Sequence, residues 1–187
     1  MEIGATKAVQ DRLKTTKIEE SKGASLVFCW DTHLTKIKGR NVLFIVNASN
    51  RYTIAMTDIE PRNWNYYTMY IRSVIQGVMQ EMGYSEEQIE QYFKMSGDTT
   101  ITKTHGRKSV GGINRMVMDA QYFGKKLEKE AKYQWELSEY LNRDICQPEG
   151  FDAYGYPSEL FKLDMERLGI ISCLLYTSPS PRDTERS

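Results

Sequence analysis

Residues able to do chemistry concentrate in two stretches of the chain. The first is "KTHGRKSVGG", residues 103–112. It sets four cationic or titratable side chains, Lys103, His105, Arg107 and Lys108, just before a segment with helical spacing. The start of a helix presents unpaired N–H groups and the positive end of the helix dipole. Glycines let a ligand come close to the backbone, and an arginine can grip phosphate or carboxylate with two parallel bonds. The chemistry expected here is anion binding by Lys103, Arg107, Lys108, Ser109, Gly111 and Gly112, with Arg51 added from elsewhere. The stretch is not a phosphate-binding P-loop, because the glycine that should open that motif is absent. The plainer reading is that Ser109 caps a helix while the cations sit in water.

The second stretch is "WDTH", followed by "NASNR". Alternation along a strand puts Asp31 and His33 on one face, so a carboxylate–imidazole pair is expected there. Such a pair could orient a general base or supply two metal ligands, with Asp58 and Glu60 as further oxygen donors. The plainer reading has Asp31 bonding backbone amides, His33 exposed and Asn47 opening an Asx-turn. Asn114, one turn into the helix, and Arg51 would then hold helix to sheet. The aromatics Trp64, Tyr66, Tyr67 and Tyr70 could stack on bases, but at helical spacing they read as core and rim.

These side chains need elements to position them. "MEIGAT" reads as a strand and "KAVQDRLK" as a helix, with a polar loop, "TTKIEESKG", behind it. "ASLVFCW", "HLTKIK", "VLFIV" and "RYTIAM" read as strands. The short turns between them predict antiparallel neighbours and therefore a β-meander. From Trp64 to Met82 the apolar period is three to four, with Gly83 as C-cap. Ser85 and Gln88 stand in capping-box spacing before the next helix. "DTTITKT" is a further strand, a long helix starts near Ser109, helical sequence continues to Ile145, and Ser158 caps a last helix. The expected fold is α+β, an antiparallel meander of about four or five strands covered by helices. One domain is expected over residues 1–172, with the motifs in 3–125 and a helical extension in 126–170.

Composition excludes several classes. Lysine plus arginine and aspartate plus glutamate number 25 each, so no global charge favours nucleic acid or a membrane surface. No apolar run approaches the roughly 20 residues of a membrane span, and "MEIGATKAVQDRLK" lacks a signal-peptide core, so a cytoplasmic protein without membrane contact is expected. Cys29 and Cys146 are too few for a disulfide framework or a zinc site, and no metal or cofactor is assigned. The end of the chain, "CLLYTSPSPRD" from Cys173, back-translates to a transposon-derived sequencing adapter. Residues 173–187 are therefore expected to be non-native, with natural residues missing after about Ile171.

Taken together, "FCWDTHL", "VNASNR" and "TKTHGRKSVGGIN" resemble a bacterial and phage-associated family of domains of unknown function. Its pattern is a strand ending W-H-A-N, then N-D-x-x-R, then T-K-T-x-x-R-x-S-V-x-x-x-N. Trp30, Asn47, Arg51, Thr102, Thr104, Arg107, Ser109, Val110 and Asn114 match. Asp31, His33 and Ala48 depart from it, standing where the pattern has His, Asn and Asp. The resemblance implies a small α+β fold and no particular reaction. The expected role is a binding module for an anionic or phosphate-bearing ligand, nucleic-acid phosphate included. Two alternatives are a metal-dependent hydrolase or nuclease using Asp31 and His33, and a protein-binding accessory module of a mobile-element or phage system.

Overall fold

The computed structural model describes residues 1–15 and 18–172. The proposed adapter-derived tail from Cys173 and residues 16–17 of the polar loop lie outside the described residues. Five strands form one sheet in the order β4-β3-β2-β1-β5. They are β1 (Glu2–Ala5), β2 (Cys29–Ile37), β3 (Arg40–Asn47), β4 (Thr53–Thr57) and β5 (Thr100–Thr102). β2, β3 and β4 form the expected antiparallel meander. The β2–β3 turn needs positive φ at both central positions, and Lys38 (49°) and Gly39 (84°) provide it.

The sheet is nevertheless mixed rather than purely antiparallel. β1 lies between β2 and β5 and runs parallel to both. Parallel neighbours require long crossovers, and both links have them. The chain passes through α1 (Lys7–Leu13) between β1 and β2, and β5 arrives only after three further helices. Two expected strands also merge. Leu26–Phe28 is a 3-10 turn, and Cys29–Ile37 is one continuous strand paired with β3 along its whole length.

Strand alternation gives the sheet two faces. Leu43, Ile45 and Ile54 point to the face covered by α3 (Tyr67–Glu81), α4 (Glu86–Ser96) and α7 (Pro157–Arg167). α2 (Pro61–Asn65) adds Trp64 to this core. Val42, Phe44, Val46 and Ala55 point to the other face, covered by α5 (Gly106–Gln121) and α6 (Trp135–Asn142). The capping box at Ser85 and Gln88 is present.

The helix expected to run on through residue 145 instead stops at Gln121, and α6 begins at Trp135. The intervening chain closes the edge of β4. Thr57 N donates to Lys132 O at 2.7 Å and Gln134 N to Ala55 O at 2.9 Å. Ser138 Oγ then accepts Ala55 N, and Asn142 bonds both backbone groups of Thr53. An exposed strand edge must be paired or covered, and this need overrides helical propensity. Among the described residues no helix is long and apolar enough to cross a membrane.

Candidate functional site

Asp31 is the centre of a buried polar cluster at the start of α5. In the parallel β1–β2 register, Gly4 stands beside Asp31 and Glu2 beside Cys29. Gly4 is required there, since a Cβ on it would lie 1.8 Å from Asp31 Oδ1. The Asp31 carboxylate is fully buried and accepts four contacts. His105 Nδ1 lies 2.7 Å from Oδ1, the His105 amide donates to both oxygens at 3.2 and 3.3 Å, and the Ser109 hydroxyl donates to Oδ2. On its other side, His105 Nε2 lies 3.0 Å from Glu2 Oε2, while Glu2 Oε1 accepts the Lys22 amide at 2.8 Å.

The electrostatics follow from this packing. Burial by itself disfavours a charged imidazole, but the bond to Asp31, with the Cys29 sulfur nearby, outweighs it and raises the His105 pKa to about 10. His105 is therefore an imidazolium at neutral pH and donates to a carboxylate from each nitrogen. Burial would also raise the Glu2 carboxyl, yet hydrogen bonds from Ser21, His105 and the Lys22 amide hold it below its ordinary value. Cys29 Sγ, a Glu2 carboxylate oxygen and a His105 ring nitrogen lie within 4.8 Å of one another.

The residues singled out in the sequence are only partly assembled by this arrangement. Asp31 and His33 share a face, but Asp31 bonds His105, and His33 Nδ1 lies 3.2 Å from Thr6 Oγ1. Burial lowers the His33 pKa. α5 starts three residues before Ser109, whose hydroxyl is spent on Asp31 rather than on a cap. The anion at this helix start is thus the chain's own carboxylate. Arg107, Lys108 and Gly111 are exposed, and Lys103 pairs with Glu20. Arg51 donates to Gly112 O at 2.7 Å, and a Cβ on Gly112 would sit 3.0 Å from its guanidinium. Asp58 and Glu60 pair with Arg40 and with Arg62 and Lys132.

The remaining motif residues tie the fold together. Trp30 Nε1 donates to Tyr92 OH, and Asn47 Nδ2 to Val27 O. Asn47 Oδ1 accepts the Ser49 amide at 3.0 Å, an Asx-turn. Thr102 is buried and its hydroxyl donates to Lys103 O. Thr104 accepts the Gly106 amide on its carbonyl, and Asn114 is exposed. Glu2 and Cys29 went unrecognised in the sequence, because only the parallel register brings them to His105. The one local signal was Gly4, a glycine inside a short strand, which marks close approach of another group.

A second concavity lies at the β4 end of the molecule. It is an open groove of about 450 Å³ whose lining includes Tyr52, Tyr84, Tyr133, Trp135, Arg143 and Lys162. Tyr133 and Trp135 meet edge to face at 5.4 Å, and the Tyr52 and Tyr84 rings rest on Phe161. Burial and the neighbouring Tyr133 and Tyr84 phenols raise the Tyr52 pKa. Trp135 remains 41% exposed. Trp64 and Tyr67, in contrast, stack against each other within the core at 5.5 Å.

The fold is an α+β domain with a five-stranded mixed sheet and helices on both faces. The sequence profile of DUF6933, a domain of unknown function, matches residues 2–160, and the chain belongs to that family. Searches of curated proteins and of solved structures found no match.

Proposed function

We propose that the domain is a binding module for a phosphate-bearing ligand with a planar ring, such as a mononucleotide, held in the groove beside α6 and α7. One observation carries this reading: four aromatic side chains and the cations Arg143 and Lys162 line the same open concavity. Planar rings stack on exposed aromatic faces, worth about 1–3 kcal/mol per base, and the cations complement phosphate. Arg143 is already paired with Glu139, so Lys162 is the freer partner for phosphate. The start of α5 suits an external anion less well, because Asp31 already occupies it.

A thermal-shift series with purine and pyrimidine mononucleotides tests this. A ligand at a hundred times its dissociation constant stabilises by about 2.7 kcal/mol, roughly 5–11 °C for a domain of this size. The shift should vanish in Trp135→Ala and shrink in Lys162→Ala, while Arg107→Ala keeps it. No shift with the unaltered protein would overturn the reading. A shift lost only in Arg107→Ala would move the site to α5.

A further inference from the structure

We propose that Glu2, Cys29 and His105 form a binding site for a single thiophilic divalent metal ion, with zinc the best fit. The argument is independent of the groove. A carboxylate oxygen, a thiol and an imidazole nitrogen, each on a buried residue, converge within 4.8 Å from β1, β2 and the start of α5. Carboxylate, thiolate and imidazole are the donors zinc takes, at about 2.0–2.3 Å, and a thiolate selects against magnesium and calcium.

The surroundings strengthen this reading. Zinc-bound histidines commonly donate their second ring nitrogen to a carboxylate, which fixes tautomer and ring orientation. Asp31 stands 2.7 Å from His105 Nδ1 and leaves Nε2 directed to Glu2. Glu2 is steadied in the same way, with Oε1 on the Lys22 amide and Oε2 facing the imidazole. The Cys29 thiol makes only long contacts, 3.5 Å to Ser25 O and 3.7 Å to Ala24 O, so little is lost when it turns to a metal. Gly4 leaves the space in which Asp31 reaches the ring. Three protein donors leave one position of a tetrahedron for a water molecule or an anionic group.

The test is titration of the full chain, stripped with a chelator, with Co(II) and then Zn(II). The expected result is saturation at one Co(II) per chain with a thiolate-to-cobalt charge-transfer band and strong four-coordinate d–d bands, both erased by zinc. Cys29→Ser should remove the charge-transfer band, and Asp31→Asn should weaken binding 10- to 100-fold. His33→Ala should leave the spectrum unchanged. Cobalt bound without a thiolate band, or no cobalt bound at all, would overturn the proposal. The spectrum of the unaltered protein decides this even where a variant fails to fold. Nucleotide shifts in the groove are read separately, so either idea can fail alone.

Discussion

Beneath α3, α4 and α7 the sheet presents Leu43, Ile45 and Ile54, and they meet apolar partners such as Ile71, Ile75, Tyr92 and Phe161. Beneath α5 the same sheet begins in the same manner, with Val42, Phe44 and Val46 against Ile113 and Met116. Toward the β1 side that second face changes character, and Glu2, Asp31, His105 and Ser109 replace aliphatic side chains. One face thus holds its helices mainly by apolar burial, with buried hydrogen bonds from Trp30 to Tyr92 and from Asn50 to Asp164, while the other adds a desolvated network of facing carboxylates and imidazole. Buried charges cost free energy unless fully partnered, and a buried ion pair is often no more stabilising than an apolar pair of its size. The network therefore contributes directional constraint more than strength. It sets the position of α5 against β1 and β2, and it gathers donors that a purely apolar face lacks.

The largest effect is expected on the apolar face. Phe161 is 1% exposed and touches the rings of Trp30, Tyr52 and Tyr84. Phe161→Ala should cost about 3–5 kcal/mol in denaturant unfolding. A cost below that of the polar-face changes would break the comparison.

On the polar face, Gly4→Ala drives a methyl into Asp31, where a paired strand cannot yield. A loss of about 1–3 kcal/mol is expected. Gly111→Ala is its control, since a Cβ there meets nothing within 4 Å. That change should stabilise α5 by up to about 1 kcal/mol. If the two substitutions behaved alike, the close packing around Asp31 would not be what holds this face.

Arg51→Met keeps the side-chain stem but removes the bond to Gly112 O, and should cost about 1 kcal/mol. A further fall on adding Gly112→Ala to the unaltered chain, but not to Arg51→Met, would sharpen the assignment of that glycine to arginine rather than to a ligand.

The smallest effect is a pH dependence at the edge of the cluster. Burial holds the folded-state pKa of His33 below its ordinary value of 6.5. Its contribution is therefore full above about pH 6.5 and is lost as the pH falls through the depressed folded value. Melting curves of the protein and of His33→Gln should separate progressively below pH 6.5, with the unaltered protein losing more. Groups common to both cancel in that difference. Parallel curves would place His33 in an environment no drier than water.

Much of the architecture was legible because it is local. The period of three to four from Trp64 to Met82, the Ser85–Gln88 box and the short turns around β3 each lie within a few residues. The candidate site was legible in part. Asp31, Ser109, Arg51 and the turn at Asn47 were singled out, but alternation offered His33 as the partner of Asp31, and the fold supplied His105. Ser109 looked like a helix cap for a related reason. Local spacing reveals a hydroxyl at a helix start but not the carboxylate that accepts its hydrogen bond.

The amino-acid sequence alone determined the elements, the apolar faces and the residue types able to do chemistry, since helix period, strand alternation and capping are written in neighbours. The tertiary structure decided which of those residues meet. Inserting β1 parallel between β2 and β5 puts Glu2 beside Cys29 and Gly4 beside Asp31, and it brings β5 and the following His105 up to both. Such pairing is set by crossovers and by burial summed over the whole sheet, a sum over distant residues that no short stretch of sequence contains.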